Sequence, residues 1–480
     1  MTASTDRHWL ALGVIAAAFF MSVLDSTSVF TALPSIADDL EFSPAGIQWV
    51  VTAYGVTVGG LMLFGGRLAD LLGRRRVFMA AVAVFAAASL LCGLAWSAEV
   101  LIAARTLQGV GAAVLTPAGL SLLMTVFPDG PERHRALGVW GGLGGVGATA
   151  GLLLGGVLTD GLGWSWIFFV NVPVCVLVLV LSPALLPESR DRDVPRRFDL
   201  AGAVTVTAAL ALFVYTMFDA AESGRPTARS AVLLAAALAL GALFVAVESR
   251  SRSPLVPLRI FRSRTLVGGN LVVLVAGLAV DGMLILVTLY AQQVLGFSAL
   301  QFGLAVAVMT IASVGGVALS QHLVTRTGFG PVALGGMILL GAALLLLTGV
   351  SAGGSFTGDL LAGLLVFGLG MGGAFVSSQI AALAGVAESE SGLASGLEET
   401  SFTIGSTLGV ATLTAVAVAR ADDLVAGGTE PLAALTSGVQ TGFLVAAGFT
   451  VLGALAAITL LWRRTPEPAT TEPQRAPSAA

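Results

Sequence analysis

The sequence is dominated by apolar stretches that are long enough to cross a lipid bilayer. A transmembrane helix needs about 20 such residues, and fourteen apolar windows separate at charged or Pro/Gly-rich breaks. Of the 480 residues only 11% are charged, whereas soluble chains carry roughly 25%. The sequence therefore predicts an all-α polytopic membrane protein. The windows cover approximately residues 9–33, 46–66, 77–96, 100–127, 136–159, 165–186, 199–218, 230–247, 266–291, 300–323, 331–351, 359–386, 397–419 and 438–462.

The arginines predict how these spans are oriented. All 24 basic residues are arginine, and twenty of them lie at the N-terminus, in the connections after even-numbered spans, or in the tail. The opposite connections hold only Arg225, Arg229 and Arg420. Because basic residues are retained on the cytoplasmic side, we expect a multi-pass plasma-membrane protein with both termini in the cytoplasm.

Several function classes are excluded by what the connections lack. They are too short for a soluble catalytic domain, and no G-x-x-x-x-G-K-[ST] phosphate-binding motif occurs. Cys92 and Cys175 have no second thiol or histidine cluster nearby, so no metal site is predicted. We expect no enzyme activity, no cofactor and no nucleic-acid partner.

The connection after the second span, "GGRLADLLGRRR", has an unusual arrangement. A glycine opens it, an aspartate follows four residues later, a second glycine permits a tight turn, and arginines follow. A cytoplasmic turn anchored by arginines is the simpler interpretation. The stretch also resembles the signature loop of the major facilitator superfamily, which locks against a helix of the other half and takes part in the conformational switch. The residues that carry this resemblance are Gly66, Arg67, Asp70, Gly73, Arg74 and Arg75.

Further motifs resemble the drug:proton antiporters of that superfamily that have fourteen spans. In chain order they are "LDSTSVFTALP", "RTLQGVGAA", "GATAGLLLGGVL", "WSWIFFVNVP", "YAQQVLGFSALQFGL" and "SGLEETSFTIGSTLGVA". The chain departs from the usual motifs at Phe30, Leu152 and Ser165, where asparagine, proline and arginine are common in the family. The resemblance covers nearly the whole chain.

This resemblance implies a major facilitator fold. Two six-helix bundles, at 1–198 and 249–463, would flank an inserted helix pair at 199–248, and a disordered cytoplasmic tail would occupy 464–480. The implied function is proton-gradient-driven export of drugs, antibiotics or other lipophilic or cationic molecules by a monomer in lipid. An exporter or importer of one metabolite, or a transport-inactive membrane sensor, is the alternative.

Glycines recur on one face of the fifth span. Gly147, Gly151 and Gly155 are four residues apart and Gly156 follows, so a neighbouring helix can approach closely. General helix packing explains this pattern equally well. The family places this helix at the interface between the halves, where it blocks leak.

Three ionisable residues lie deep inside predicted spans, namely Asp25, Arg105 and Asp281. Charges at this depth are costly and usually line a polar pathway. At 1.5 Å per residue they lie about 9 to 15 Å from the outer ends of their spans, and both aspartates lie in the first helix of their half. We expect Asp25 or Asp281 to exchange a proton, with Arg105 nearby. A permanent Asp–Arg pair that only holds helices together is the alternative.

Other candidates concern the substrate. Phe30, Tyr54, Tyr290 and Glu399 could line a drug site, although packing is the more common role of such aromatic residues. Ser395 and Glu398 fit a capping box that would open the thirteenth span.

Overall fold

The structure is a computed structural model, and it describes residues 2–43, 46–127, 131–189, 200–222, 227–251, 254, 258–384, 386 and 391–462. Throughout these residues the regular secondary structure is helical. The helices, numbered by the span that each one forms, are α1 (Thr2–Asp39), α2 (Trp49–Leu72), α3 (Arg74–Gly93), α4 (Ala98–Val126), α5 (Pro131–Leu162), α6 (Trp166–Phe169 and Asn171–Leu185), α7 (Leu200–Glu222), α8 (Ala228–Arg250), α9 (Arg264–Thr288), α10 (Ala299–Thr327), α11 (Phe329–Leu347), α12 (Leu361–Leu383), α13 (Ser391–Ala426) and α14 (Pro431–Ala456). Short π-helical turns extend α9 over Leu289–Val294, precede α12 over Phe356–Leu360 and follow α14 over Ala457–Leu461.

The predicted all-α polytopic fold is confirmed. Within the described residues eleven helices are long and apolar enough to cross a membrane, and shorter apolar stretches lie in α2, α5 and α7. Helices are the expected solution because lipid offers no partner for an unpaired backbone group. The predicted tail at 464–480 lies outside the described residues.

Some helices extend beyond the predicted spans. α1 continues through Pro34, which had marked the end of the first span, and ends at Asp39. α13 begins at Ser391, six residues before its predicted start. Hydropathy locates the part of a helix that lies in hydrocarbon, whereas helical hydrogen bonding of the backbone continues until a capping or helix-terminating residue.

The helices pack as two related bundles. In the first, α1 packs on α5 and α6, α2 packs on α4, and α3 packs on α4 and α6. Adding eight to each helix number gives the packing of the second bundle, in which α9 packs on α13 and α14, α10 on α12, and α11 on α12 and α14. The helices that carry Asp25 and Asp281 are therefore counterparts in the repeat.

Two helix pairs form the main contacts between the bundles, and they are also related by the repeat. α2 packs on α13, and α5 packs on α10. α7 lies over the first pair, where a Cβ on Gly60 would overlap Thr207 and where Val214 packs with Val56 and Ala411. α8 packs on α7 and is mostly exposed.

The cleft between the bundles is open on one side, as a stripe of α13 residues shows. On the other faces of α13, Ile404 and Thr407 meet α2 and Gly405 meets α9. The remaining face carries residues whose exposure falls along the helix: Glu399 is exposed, Ser406 is half-buried and Val410 is buried. Solvent therefore reaches the cleft from the side where α2 ends and α3 begins, here named the arginine-rich side. On the opposite, arginine-poor side, Gly156 of α5 lies against Ala299 and Leu300 of α10, so the bundles are in contact and that side is closed.

Candidate functional site

A buried ion pair joins α1 to α4. Oδ2 of Asp25 lies 2.6 Å from Nη1 of Arg105, and neither side chain is exposed. The other carboxylate oxygen accepts hydrogen bonds from Nε2 of Gln108 at 2.8 Å and from Nδ2 of Asn171, in α6, at 2.7 Å. Charge-assisted hydrogen bonds of this kind are stronger than neutral ones, so three helices of the first bundle converge on one carboxylate.

The arginine is held from several directions. Its Nε donates to the backbone oxygen of Val50 at 2.9 Å, and its Nη1 also donates to Oε1 of Gln108 at 2.6 Å. Cζ lies 4.3 Å from the centroid of the Tyr54 ring, a cation–π geometry. The predicted substrate residue Tyr54 is therefore a neighbour of Arg105.

Ser89 of α3 completes this network. Its Oγ accepts from Nε2 of Gln108 at 2.8 Å and from Nδ2 of Asn171 at 3.3 Å. All three side chains are fully buried. The sequence reasoning did not select them, although Gln108 and Asn171 stand inside two of the quoted motifs. Gln108 and Asn171 could have been identified from the sequence, because an amide side chain inside an apolar span is uncommon in the same way as a charge.

Asp281 lies outside this network. It is half-buried in α9 and accepts a hydrogen bond from Oγ of Ser406 in α13. Among the residues that the structure describes, no arginine forms an ion pair with it. The two repeat-related aspartates therefore have different environments, since Asp25 is paired with an arginine and sealed, whereas the partner of Asp281 among the described residues is a hydroxyl.

Glu399 faces the cleft on the same stripe of α13 as Ser406. The two residues are two helical turns apart, or about 10 Å along the axis, and the glutamate is the more exposed of them. Phe402 and Phe375 lie near this stripe, with ring centroids 5.1 Å apart. The wall thus combines carboxylates with aromatic surface.

The predicted capping role of Glu398 is wrong. Because α13 begins at Ser391, Ser395 and Glu398 both lie inside the helix. Glu398 is buried, and its Oε1 accepts from Oγ of Ser378 in α12 at 3.2 Å. The Ser-x-x-Glu motif lies about one helical turn after the first residue of α13, so it does not cap the helix.

All three aromatic candidates are buried in this conformation, including Tyr54 beside Arg105. Phe30 is 1% exposed, and Tyr290 is not exposed at all. The hydroxyl of Tyr290 donates to the backbone oxygen of Ser351 at 2.8 Å. A role of these residues in substrate binding stays a prediction.

The glycines of α5 contact two different helices. Gly147, Gly151 and Gly155 face α1, and a Cβ on Gly151 would overlap Thr27 and the backbone oxygen of Leu24. Gly156 instead faces α10, where an added Cβ would lie 2.6 Å from Cα of Leu300. One helix therefore packs tightly within its own bundle and against the other.

The loop after α2 contacts the end of α6. Gly73 has φ +110°, a conformation that favours glycine. The backbone N–H of Arg74 donates to the oxygen of Ser189 at 2.9 Å, and the side chains of Arg75 and Arg76 lie 3.6 Å and 3.5 Å from Oε2 of Glu188. These contacts lie within the first half. The nearest atom to a Cβ on Gly66 would be Cβ of Pro117 in α4.

The predicted lock between this loop and the other half stays a prediction. The side chains of Arg67 and Asp70 lie outside the described part of the structure.

Comparison with protein families identifies the family that the motifs indicated. The sequence profile of the Major Facilitator Superfamily matches residues 15–410. The chain belongs to the major facilitator superfamily. Within it, the chain is 38% identical over 460 residues to the puromycin resistance protein pur8 of Streptomyces alboniger, with 95% of this chain and 91% of that protein covered.

Two further members of the superfamily show similar agreement. The chain is 39% identical over 432 residues to the cephamycin export protein CmcT of Amycolatopsis lactamdurans, with 86% of each chain covered. It is 35% identical over 444 residues to the uncharacterised transporter EfpA of Mycobacterium tuberculosis, with 90% of this chain and 82% of that protein covered. The likeness therefore extends through both bundles.

Solved superfamily structures share the fold at low sequence identity. A bacterial homologue of the human lysosomal transporter Spinster, in an inward-facing and unoccupied conformation, aligns with a TM-score of 0.66 at 17% identity and covers 96% of this chain and 99% of its own. The human organic anion transporter MFSD10 aligns with a TM-score of 0.62 at 15% identity, covering 94% of this chain and 99% of its own. These structures support the major facilitator fold alone.

Proposed function

We propose that the protein is a proton-coupled exporter of lipophilic or cationic small molecules, antibiotics among them. Relatives named for puromycin resistance, cephamycin export and tetracenomycin C export support the efflux function. The arginine distribution supports cytoplasmic termini in a plasma membrane. The protein would act as a monomer in lipid without a cofactor, using the proton gradient as its energy source.

The observation that carries the coupling proposal is the contrast between the two repeat-related aspartates. Asp25 is sealed from solvent and bound to Arg105, whereas Asp281 is half-buried with a hydroxyl as its partner. A proton or a cation arriving through the cleft can reach Asp281 without displacing an arginine. We therefore assign the exchange step in this conformation to Asp281.

Coupling follows from the cost of an unpaired carboxylate. When the bundles close over Asp281, its negative charge would lie in an apolar environment, which costs several kcal/mol. Binding either a proton or a cationic substrate removes most of that cost. Closure with neither bound is disfavoured, so outward movement of substrate would alternate with inward movement of protons.

Glu399 has a matching role in this proposal. Its exposed carboxylate lies at the arginine-rich entrance of the cleft, about two turns from the level of Ser406. A cationic molecule entering there would meet this negative charge before it reached Asp281. The aromatic surface of Phe375 and Phe402 would accommodate its apolar part.

Everted membrane vesicles carrying the full chain would test this function. An imposed proton gradient should drive uptake of puromycin or ethidium, and substrate addition should release protons, which a pH-sensitive dye measures. Asp281→Asn should abolish both signals, whereas Asp422→Asn, at an exposed aspartate near the end of α13, should leave them intact. Full coupling in Asp281→Asn would contradict this assignment, and full coupling in both Asp25→Asn and Asp281→Asn would contradict proton exchange at either aspartate. Flux without a gradient would contradict antiport.

A further inference from the structure

A carboxylate of the first bundle caps a helix of the second. Asp160, near the end of α5, accepts hydrogen bonds from the backbone N–H of Ala299 at 3.2 Å through Oδ1 and from that of Leu300 at 3.0 Å through Oδ2. These are the first two residues of α10. The N–H groups of a first helical turn have no partner within their own helix, so the two bonds satisfy donors that α10 cannot satisfy itself.

The third donor of that turn is satisfied from within α10. Ser298 and Gln301 form a reciprocal capping box, in which Oγ of Ser298 accepts from the N–H of Gln301 at 3.2 Å. The same helix end therefore has two caps of different origin. One is local to the second bundle, whereas the other, from Asp160, crosses between the bundles.

The surrounding contacts hold the two helices close at this point. A Cβ on Gly156 would lie 2.7 Å from the backbone oxygen of Ala299, and one on Gly303 would lie 2.5 Å from the oxygen of Leu152. Nearby, Nε2 of Gln292 donates to the backbone oxygen of Thr31 at 3.2 Å, which joins α9 to α1. The closed arginine-poor side is thus held by polar bonds around glycine-lined contacts.

We infer that Asp160 is a gating residue whose cap on α10 stabilises the conformation in which the arginine-poor side is closed. Opening that side requires α5 and α10 to separate, which removes the carboxylate from both N–H groups and ends its attraction to the positive end of the helix dipole. In the alternate conformation the carboxylate is hydrated and the α10 N-terminus keeps only its local cap. The inference rests on the proposed alternating conformations, but it needs neither proton coupling nor a particular substrate.

Alkylation of a cysteine placed behind this contact would test the inference. In a Leu152→Cys background the thiol is covered in the present conformation, because Leu152 is buried and lies where α5 contacts Gly303 of α10. Its reaction rate with a water-soluble maleimide, in full-length protein in lipid nanodiscs, reports the population open on the arginine-poor side. The native Cys92 and Cys175 are fully buried inside the first bundle and report global unfolding.

Asp160→Ala should raise the alkylation rate at position 152 by about twofold to thirtyfold, the range that corresponds to the loss of a side-chain helix cap. Asp160→Asn, which retains an acceptor oxygen, should fall between. Ser298→Ala is the matched control and should leave the rate unchanged, because its cap does not join the bundles.

Three results would overturn the inference: an unchanged rate in Asp160→Ala, an equal rise in Ser298→Ala, or a parallel rise at Cys92. Each of these leaves the proton-coupled export proposal standing, because no substrate or gradient enters the measurement.

Discussion

The guanidinium of Arg105 lies 2.6 Å from the carboxylate of Asp25, and the pair is sealed from solvent by the first bundle. Removing one partner of such a pair leaves an uncompensated buried charge, whereas replacing both partners is better tolerated. Two interpretations stay open, a permanent structural pair and a pair that separates during the transport cycle. The first prediction addresses what the pair contributes to the conformation described here.

Arg105→Ala should destabilise the protein by about 3–5 kcal/mol, seen as a lower midpoint of thermal unfolding in lipid nanodiscs. Asp25→Asn combined with Arg105→Met should recover at least half of that loss, because no buried charge is left without a partner. An unchanged midpoint in Arg105→Ala would contradict a stabilising role of the pair in this conformation.

Glu399→Gln and Glu398→Gln should differ although the residues are adjacent. Glu399 is exposed on the cleft, whereas Glu398 is buried against Ser378. Removing the cleft charge should raise the half-saturating concentration of a cationic substrate about fivefold, corresponding to roughly 1 kcal/mol for a solvated contact. A neutral substrate should be unaffected. Uptake of a cationic and of a neutral compound into vesicles measures this difference in substrate affinity. Equal effects of the two substitutions would show that the position of Glu399 on the cleft does not matter for substrate binding.

Gly151→Ala should disturb the packing of α5 on α1. The added methyl would overlap Thr27 and the backbone of Leu24, and such overpacking costs about 1–3 kcal/mol. Gly144→Ala on the same helix has open space around it and should be neutral or slightly stabilising, because alanine favours a helix over glycine by about 0.5–1 kcal/mol. The two thermal unfolding midpoints give the comparison, and a neutral Gly151→Ala would place α1 further away than described.

Gly73→Ala should strain the loop between α2 and α3. The backbone has φ +110°, and an added Cβ would also lie 2.7 Å from Oε1 of Glu188. Left-handed backbone of this kind costs about 1–3 kcal/mol in a residue other than glycine. Adding Glu188→Ala should relieve the overlap but leave the backbone cost, so the double variant should stay less stable than Glu188→Ala alone. Equal stability of those two proteins would contradict the strained conformation.

Much of the fold could be predicted because membrane helices are specified locally. The apolar windows located the helices of the described residues in order, whereas the sidedness that the arginine pattern indicates stays a prediction. The helix ends were harder to predict. α1 passes Pro34 and α13 begins at Ser391, since hydrogen bonding and capping, rather than hydropathy, decide where a helix stops.

The candidate site also has parts that the sequence predicts and parts that depend on helix packing. Asp25, Arg105 and Asp281 are recognisable from the sequence alone, because a charge in an apolar span is costly wherever the helix packs. Their partners required the packed structure, which places Gln108 and Asn171 on Asp25, Ser406 on Asp281 and the cap from Asp160 on α10. The difference arises because composition acts within one segment, whereas a hydrogen bond between helices depends on their mutual rotation and depth, which the packing of the whole chain sets.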